Sequence, residues 1–88
     1  VKLVFASSAW EDYLYWAEHD DKLKARINEL IKQCQRTPFV GVGKPEPLRG
    51  DLTGWWSRRI SKEHRMVYRV TGGGAQQSLE IAQLRYHY

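Results

Sequence analysis

The sequence has a single cysteine, so no intrachain disulfide is open to it and no cysteine-based metal cluster can form. It has no apolar run of membrane-spanning length. Leu3-Val4-Phe5, ahead of Ser7 and Ser8, is too short for the apolar region of a signal peptide. None of the usual metal-ligand spacings occurs, and no metal or other cofactor is expected. With 88 residues the chain has room for one domain and one modest core. These absences predict a soluble, intracellular protein whose working groups lie on its surface or in a shallow cleft. Cys34 falls in the apolar periodicity of a helix and reads as a buried thiol.

What is present is positive charge, unevenly placed. The net charge is +4, yet residues 1–36 hold six Lys/Arg against six Asp/Glu, while residues 37–88 hold eight against four. The whole excess therefore lies in the second half, as expected of a chain with one positive face and a phosphate polymer as partner. Solubility charge is the plainer reading of the same numbers.

Lys2 to Phe5 reads as a short strand. Ser8 followed by Glu11 has capping-box spacing and predicts a helix running to about His19, with Trp10, Tyr13, Leu14 and Ala17 forming its apolar face. Asp20-Asp21 breaks that helix and puts negative charge at the start of the next. Leu23, Ile27, Leu30, Ile31 and Cys34 stripe the second helix, which Thr37-Pro38 ends. Thr37 to Gly54 contains three prolines and four glycines and shows no helical period, so it reads as a long ordered loop of the kind that carries function. Trp55–Ile60, Arg65–Thr71 and Ser78 to about Tyr86 alternate as strands, with turns at 61–64 and 72–74. The predicted fold is α+β: a strand, a two-helix hairpin, then an antiparallel β-meander, with both helices on one sheet face.

The strand alternation sends Trp55, Ser57 and Arg59 one way and Trp56, Arg58 and Ile60 the other, while Arg65, Val67 and Arg69 alternate with Met66, Tyr68 and Val70. Neighbouring antiparallel strands then set arginines side by side, which is unfavourable unless an anion lies between them. Cleaving RNA requires a base for the 2′-hydroxyl, an acid for the leaving 5′-oxygen and cations for the phosphorane. Glu46, held extended between Pro45 and Pro47, is a candidate base, since a glutamate is ionised at neutral pH. His87 is a candidate acid, because imidazole, with an ordinary pKa of about 6.5, exchanges protons near neutrality. Arg59 and Arg65 offer planar donors matched to phosphate oxygens. For each, a solvated side chain is the competing reading, and for His87 a frayed chain end. Against fraying, Leu84-Arg85-Tyr86-His87-Tyr88 keeps a strand-like pattern to its last residue, and its tyrosines are suited to stacking on unpaired bases.

In order and spacing, several segments resemble the YoeB toxins of the RelE superfamily: Trp10-Glu11-Asp12-Tyr13-Leu14-Tyr15-Trp16, Arg36-Thr37-Pro38-Phe39, Gly43-Lys44-Pro45-Glu46-Pro47-Leu48, Trp56-Ser57-Arg58-Arg59-Ile60, Glu63-His64-Arg65 and Arg85-Tyr86-His87-Tyr88. The resemblance covers nearly the whole chain and implies a single RelE-like toxin domain over residues 1–88, with a microbial-ribonuclease-like fold. It implies a ribosome-dependent mRNA interferase of a bacterial type II toxin–antitoxin system that cuts mRNA in the ribosomal A site without a metal. Glu46 would then be the general base, Arg65 the phosphate stabiliser and His87 the general acid. Arg59 would help bind the phosphate, Tyr88 would position the RNA, and Lys44, Arg49 and Arg58 would be further RNA contacts. Tyr86 would pack. The implied partners are a YefM-like antitoxin, the 30S A site with its mRNA, and a second copy of the chain in a homodimer; the implied location is the bacterial cytoplasm. A gyrase-poisoning protein of the ParE-like branch, and a nucleic-acid or ribosome-binding module without catalysis, are the alternatives.

Overall fold

The structure is a computed structural model that describes residues 1–87; Tyr88, and the role expected of it, lie outside the described residues. Strand β1 (Lys2–Phe5) leads into helices α1 (Ser7–His19) and α2 (Asp21–Arg36). Strands β2 (Glu46–Pro47), β3 (Trp56–Arg59), β4 (Arg65–Thr71) and β5 (Ser78–Gln83) come next, and the sheet order is β1-β5-β4-β3-β2. The meander is present as antiparallel β3, β4 and β5. It is widened on both sides: β1 pairs with β5 in parallel, and the loop that precedes β3 contributes the two-residue β2. Both helices pack on one face of this mixed sheet, where Ile27, Leu30 and Cys34 of α2 meet Met66, Tyr68, Leu79, Ile81 and Leu84.

Local chemistry sets the start of α2 as expected, but not that of α1. Asp20 caps α2 by accepting from the Lys22 and Leu23 amides, both at 3.1 Å, and Asp21 supplies the acidic first turn. The Ser8–Glu11 capping box does not form. Helix α1 begins at Ser7 with no side-chain cap, and the Ser8 hydroxyl instead donates to the Ala82 carbonyl at 3.2 Å. The buried positions of α1 also differ from the expected face. Ala9 and Trp16 are inside, whereas Trp10 and Leu14 are 48 and 42 % exposed. Trp10 stacks on Tyr13 at the surface, the ring centroids 5.7 Å apart. Large aromatic rings can satisfy one another at a rim, so helical spacing alone does not say which of them enter the core.

The end of the chain departs from expectation as well. Strand β5 stops at Gln83 rather than near Tyr86. A bulge comes just before that end: Val67 pairs with Gln83 and Tyr68 with Ile81, leaving Ala82 as the extra residue. Helix α1 clamps the next residue, since Asp12 Oδ2 accepts from the Leu84 amide at 3.0 Å and the Trp16 indole donates to the Leu84 carbonyl at 2.8 Å.

Among the described residues the core contains one charge. Arg58 is fully buried on the helix side of β3. Its guanidinium donates to the carbonyls of Val42 at 3.0 Å, Val40 at 2.9 Å and Thr37, and its Nε donates to the Tyr68 hydroxyl at 3.3 Å. The Tyr68 hydroxyl in turn donates to the Pro38 carbonyl. Burial pushes the Tyr68 phenol up to about 12, outweighing the opposing hydrogen bond from Arg58, and burial likewise pushes the Cys34 thiol up. Because the folded phenol holds its proton more tightly than the unfolded one, its contribution to stability is complete below pH about 10. It is lost as the pH rises to about 12. In an alkaline titration of tyrosinate absorbance, Tyr68 should therefore ionise last and together with unfolding, and Tyr68→Phe should remove that late step. Early, reversible ionisation of all the tyrosines would contradict this account.

Candidate active site

On the open face of the sheet, register brings the predicted residues together. Glu46 pairs with Ser57, Ser57 with Val67, and Val67 with Gln83, so these four form one row across β2, β3, β4 and β5. Two residues along, Arg59 of β3 pairs with Arg65 of β4, as the strand alternation predicts. Same-face rows in a sheet lie roughly 7 Å apart. A carboxylate and two guanidiniums thus share one surface, with Ser57 and Val67 buried as its floor.

Glu46 owes its place to the turn before it. Gly43 has φ +87°, and a Cβ there would come within 2.9 Å of Leu30 Cδ2, so this position is closed to a side chain. The Gly43 carbonyl accepts from the Arg59 amide at 2.7 Å, which fastens the turn to β3. Lys44 is exposed at φ +51°, and Glu46 then enters the sheet exposed between its two prolines. Arg49 lies past β2, at the start of a short 3-10 turn over residues 50–52, in a separate row from the Arg59–Arg65 pair.

Arg65 is pinned along one edge. Its Nη1 donates to the carbonyls of Ser61 at 2.7 Å, Lys62 at 3.1 Å and His64 at 3.1 Å. The planar group is thereby fixed by the β3–β4 turn. Arg59 is exposed, and its own carbonyl accepts from Arg26 Nη2 of α2 at 3.1 Å. Arg69, on the same face, is differently occupied. It bonds Glu80 at 2.9 Å and lies 4.5 Å over the Trp55 ring. Hydrogen bonds from Arg69 and then Thr71 hold the Glu80 carboxyl below its ordinary value. The Arg69 charge is balanced locally, whereas among the described residues no carboxylate pairs with Arg59 or Arg65.

Residues 84–87 turn back against this cluster and do not continue the strand. Tyr86 has φ +64° and is 58 % exposed, so the packing expected of it takes place at the surface and not in the core. Its ring lies against the Arg85 guanidinium at 4.7 Å, and Tyr15 covers Arg85 at 3.6 Å. The Tyr86 carbonyl accepts from the Arg65 amide at 3.0 Å, and its amide donates to His64 Nδ1 at 2.7 Å. Gln83 Nε2 gathers the carbonyls of Arg85 at 2.7 Å, Tyr86 at 3.3 Å and His87 at 3.1 Å. His87, exposed, is thus carried on a turn hydrogen-bonded to the backbone of Arg65.

Arg58 is the candidate that the structure removes. Its guanidinium is buried and bonded to loop carbonyls, so it is not an RNA contact. Its neighbour Arg59 carries the exposed charge instead. Conversely, His64 and Gln83 hold the backbone of residues 85–87, although the sequence pattern assigns no role to either. The only signals are that His64 precedes Arg65 and that Gln83 interrupts an otherwise apolar strand end.

The fold defines the class. Over its full length the chain superposes on all of a YoeB/ParE toxin from Agrobacterium tumefaciens, with a TM-score of 0.95 and 55 % sequence identity. It also matches, with a TM-score of 0.87 and 43 % identity over all of this chain and 98 % of that one, the toxin of a heterotetrameric YoeB–YefM toxin–antitoxin complex from Staphylococcus aureus. The family is narrower. Residues 5–88 match the model of the YoeB-like toxin of bacterial type II toxin–antitoxin systems, and toxin YoeB of Escherichia coli K12 is 56 % identical over all of this chain and all of that one. The chain belongs to the YoeB-like toxin family.

Proposed function

We propose that this toxin is a ribosome-dependent endoribonuclease that cuts mRNA in the ribosomal A site and so stops translation, residues 1–88 acting as one RelE-like toxin domain. The observation that carries the reading is the shared open face. Glu46 stands one row from the Arg59–Arg65 pair, and the turn bearing His87 is bonded to the Arg65 amide. Glu46 takes the proton of the 2′-hydroxyl, and the resulting oxygen attacks phosphorus. Arg65, with Arg59 beside it, stabilises the added charge on the phosphorane. His87 gives its proton to the 5′-oxygen as the P–O5′ bond breaks. The O2′–P bond that forms balances the P–O5′ bond that is lost, and each proton transfer contributes roughly 10²–10⁴-fold. None of these roles calls on a metal.

The groups lie on an open surface, so orientation of the RNA has to come from elsewhere. The ribosome supplies it by presenting mRNA in one extended path. Lys44 and Arg49 extend the basic edge, and Tyr88 is assigned to stacking on the RNA. The partner that silences the toxin is a YefM-like antitoxin, as in the Staphylococcus aureus complex. Acidic or apolar segments suit it to cover this face. The cytoplasm, where translating ribosomes are, is the place of action.

Primer extension on translating mRNA, with and without ribosomes, tests the proposal. Wild-type protein should give breaks within codons only when ribosomes are present, and Glu46→Ala and His87→Ala should each abolish them while still binding antitoxin. Ribosome binding without any breaks would sink it.

A further inference from the structure

The turn that carries His87 is held in an unfavourable backbone conformation. A tyrosine at φ +64° lies in the left-handed region that bulky residues avoid, and it persists only where its surroundings fix it. Three groups do so here. The Arg65 amide donates to the Tyr86 carbonyl, Gln83 Nε2 donates to the carbonyls on either side, and His64 Nδ1 accepts the Tyr86 amide. The His64 contact, at 2.7 Å, engages the N–H of the strained residue itself and so determines where that residue can sit.

Accepting that N–H requires a lone pair on Nδ1, which puts the proton of the neutral ring on Nε2. The ring is itself held. It meets the Trp16 indole edge-on at 4.8 Å and leans on the Tyr86 ring at 5.7 Å, while Trp16 is fastened to the Leu84 carbonyl. The Ser61 hydroxyl accepts from the His64 amide at 3.2 Å, and the His64 carbonyl accepts from Arg65 Nη1 at 3.1 Å. One residue thus grips both halves of the site. The His64 carbonyl helps fix the Arg65 guanidinium, and the His64 imidazole fixes the turn that bears His87.

We propose that His64 is a positioning residue, whose unprotonated Nδ1 locks the Tyr86 turn and thereby sets His87 against Arg65. The proposal rests on the reading of His87 as the general acid. His64 touches no reacting atom; it acts through the Tyr86 amide.

The test uses two substitutions in the full-length toxin. His64→Leu keeps an apolar body against Trp16 and removes the acceptor. His64→Asn places an amide oxygen close to where Nδ1 stands and keeps it. Turnover is measured on ribosomes programmed with mRNA, and protection of the Tyr86 amide is measured by hydrogen exchange in the free toxin. Misplacing a reacting group by about 1 Å costs on the order of 10²-fold. His64→Leu should therefore lower kcat about 10²-fold with KM changed less than about threefold, and His64→Asn should recover to within about tenfold of wild type. The Tyr86 amide should lose protection in His64→Leu and regain it in His64→Asn. A merely structural histidine would lower the folded fraction in both variants, with no selective rescue by asparagine.

Wild-type turnover in His64→Leu would overturn the proposal, as would an asparagine variant no better than leucine. If the wild type itself cleaves nothing, the ribonuclease reading fails on its own account. Amide exchange then still decides the positioning claim, since a Tyr86 amide equally protected in His64→Leu would overturn it.

Discussion

Replacing Arg58 by methionine should lower the stability of the fold by on the order of 3–5 kcal/mol, although no surface contact is lost. The side chain is fully buried, and among the described residues it meets carbonyl oxygens and a phenol rather than a carboxylate. Its fork is the device that lets residues 37–42 leave helix α2 without forming regular structure, because it donates to the backbone oxygens of Thr37, Val40 and Val42 together. Methionine fills the volume but removes the donor shared by those oxygens and the Tyr68 hydroxyl; Thr37, Val40 and Val42 are exposed residues whose carbonyls water can partly satisfy, so the loss stays near the cost of one or two buried groups at about 1–3 kcal/mol each. For a chain of this size the melting temperature should fall by roughly 15–30 °C. Lysine should rescue little, since a single ammonium cannot span three carbonyls in a planar fork. Calorimetry of the two variants decides the matter. A melting temperature within a few degrees of wild type would mean that the loop carbonyls find other donors. Because the same loop leads through Gly43 to Glu46, a loosened variant should also lose cleavage before it loses helix content on warming.

This residue also marks the limit of what the sequence conveys. Alternation along β3 correctly separates Arg58 from Arg59, and it leaves open whether the face receiving Arg58 is solvent or core. Arginine in a basic segment reads as surface charge; only the three-dimensional path of the 37–42 loop shows why a cation is needed inside. The α2 stripe is legible because its apolar residues fall on one helical face with a capping aspartate before them. The α1 face is not, because Trp10, Tyr13 and Phe5 form an aromatic group at the rim and hydrophobicity alone does not rank it below Ala9. Residues in local motifs stand out as site candidates, with Glu46 set between prolines and Arg65 at a strand start. The contacts that organise the site do not, because they join positions distant in sequence: Tyr86 to His64, Leu84 to Asp12, Ser8 to Ala82. The end of β5 eludes pattern reading for a related reason. A bulge at Ala82 and a left-handed Tyr86 are set by tertiary contacts, and the residue pattern of an extended strand continues through both.

The second large effect concerns Arg65, where the expected loss is in chemistry and not in folding. Arg65→Lys should lower turnover by on the order of 10²–10³-fold while shifting the melting temperature by only a few degrees. The guanidinium serves two directions at once. Nη1 is held by the carbonyls of Ser61, Lys62 and His64, and because the group is planar, that edge fixes the outlook of Nε and Nη2. A lysine ammonium can bond the turn or reach toward a phosphate, but it cannot do both from one atom. The backbone of residue 65 keeps its pairing with Arg59 and the hydrogen bond its amide donates to the Tyr86 carbonyl, so the strand and the Tyr86 turn survive the exchange. Arg59→Lys provides the contrast. That side chain is exposed and unconstrained by such a turn, so a lysine retains most of the field it supplies, and a loss of about tenfold or less is expected. Single-turnover cleavage by the two variants separates a positioned donor from a general positive charge. Equal, modest losses at both positions would show that charge alone suffices, and the anchoring of Nη1 would then have no catalytic consequence. A large loss confined to position 65 would tie the rate to the direction in which the turn aims that one guanidinium.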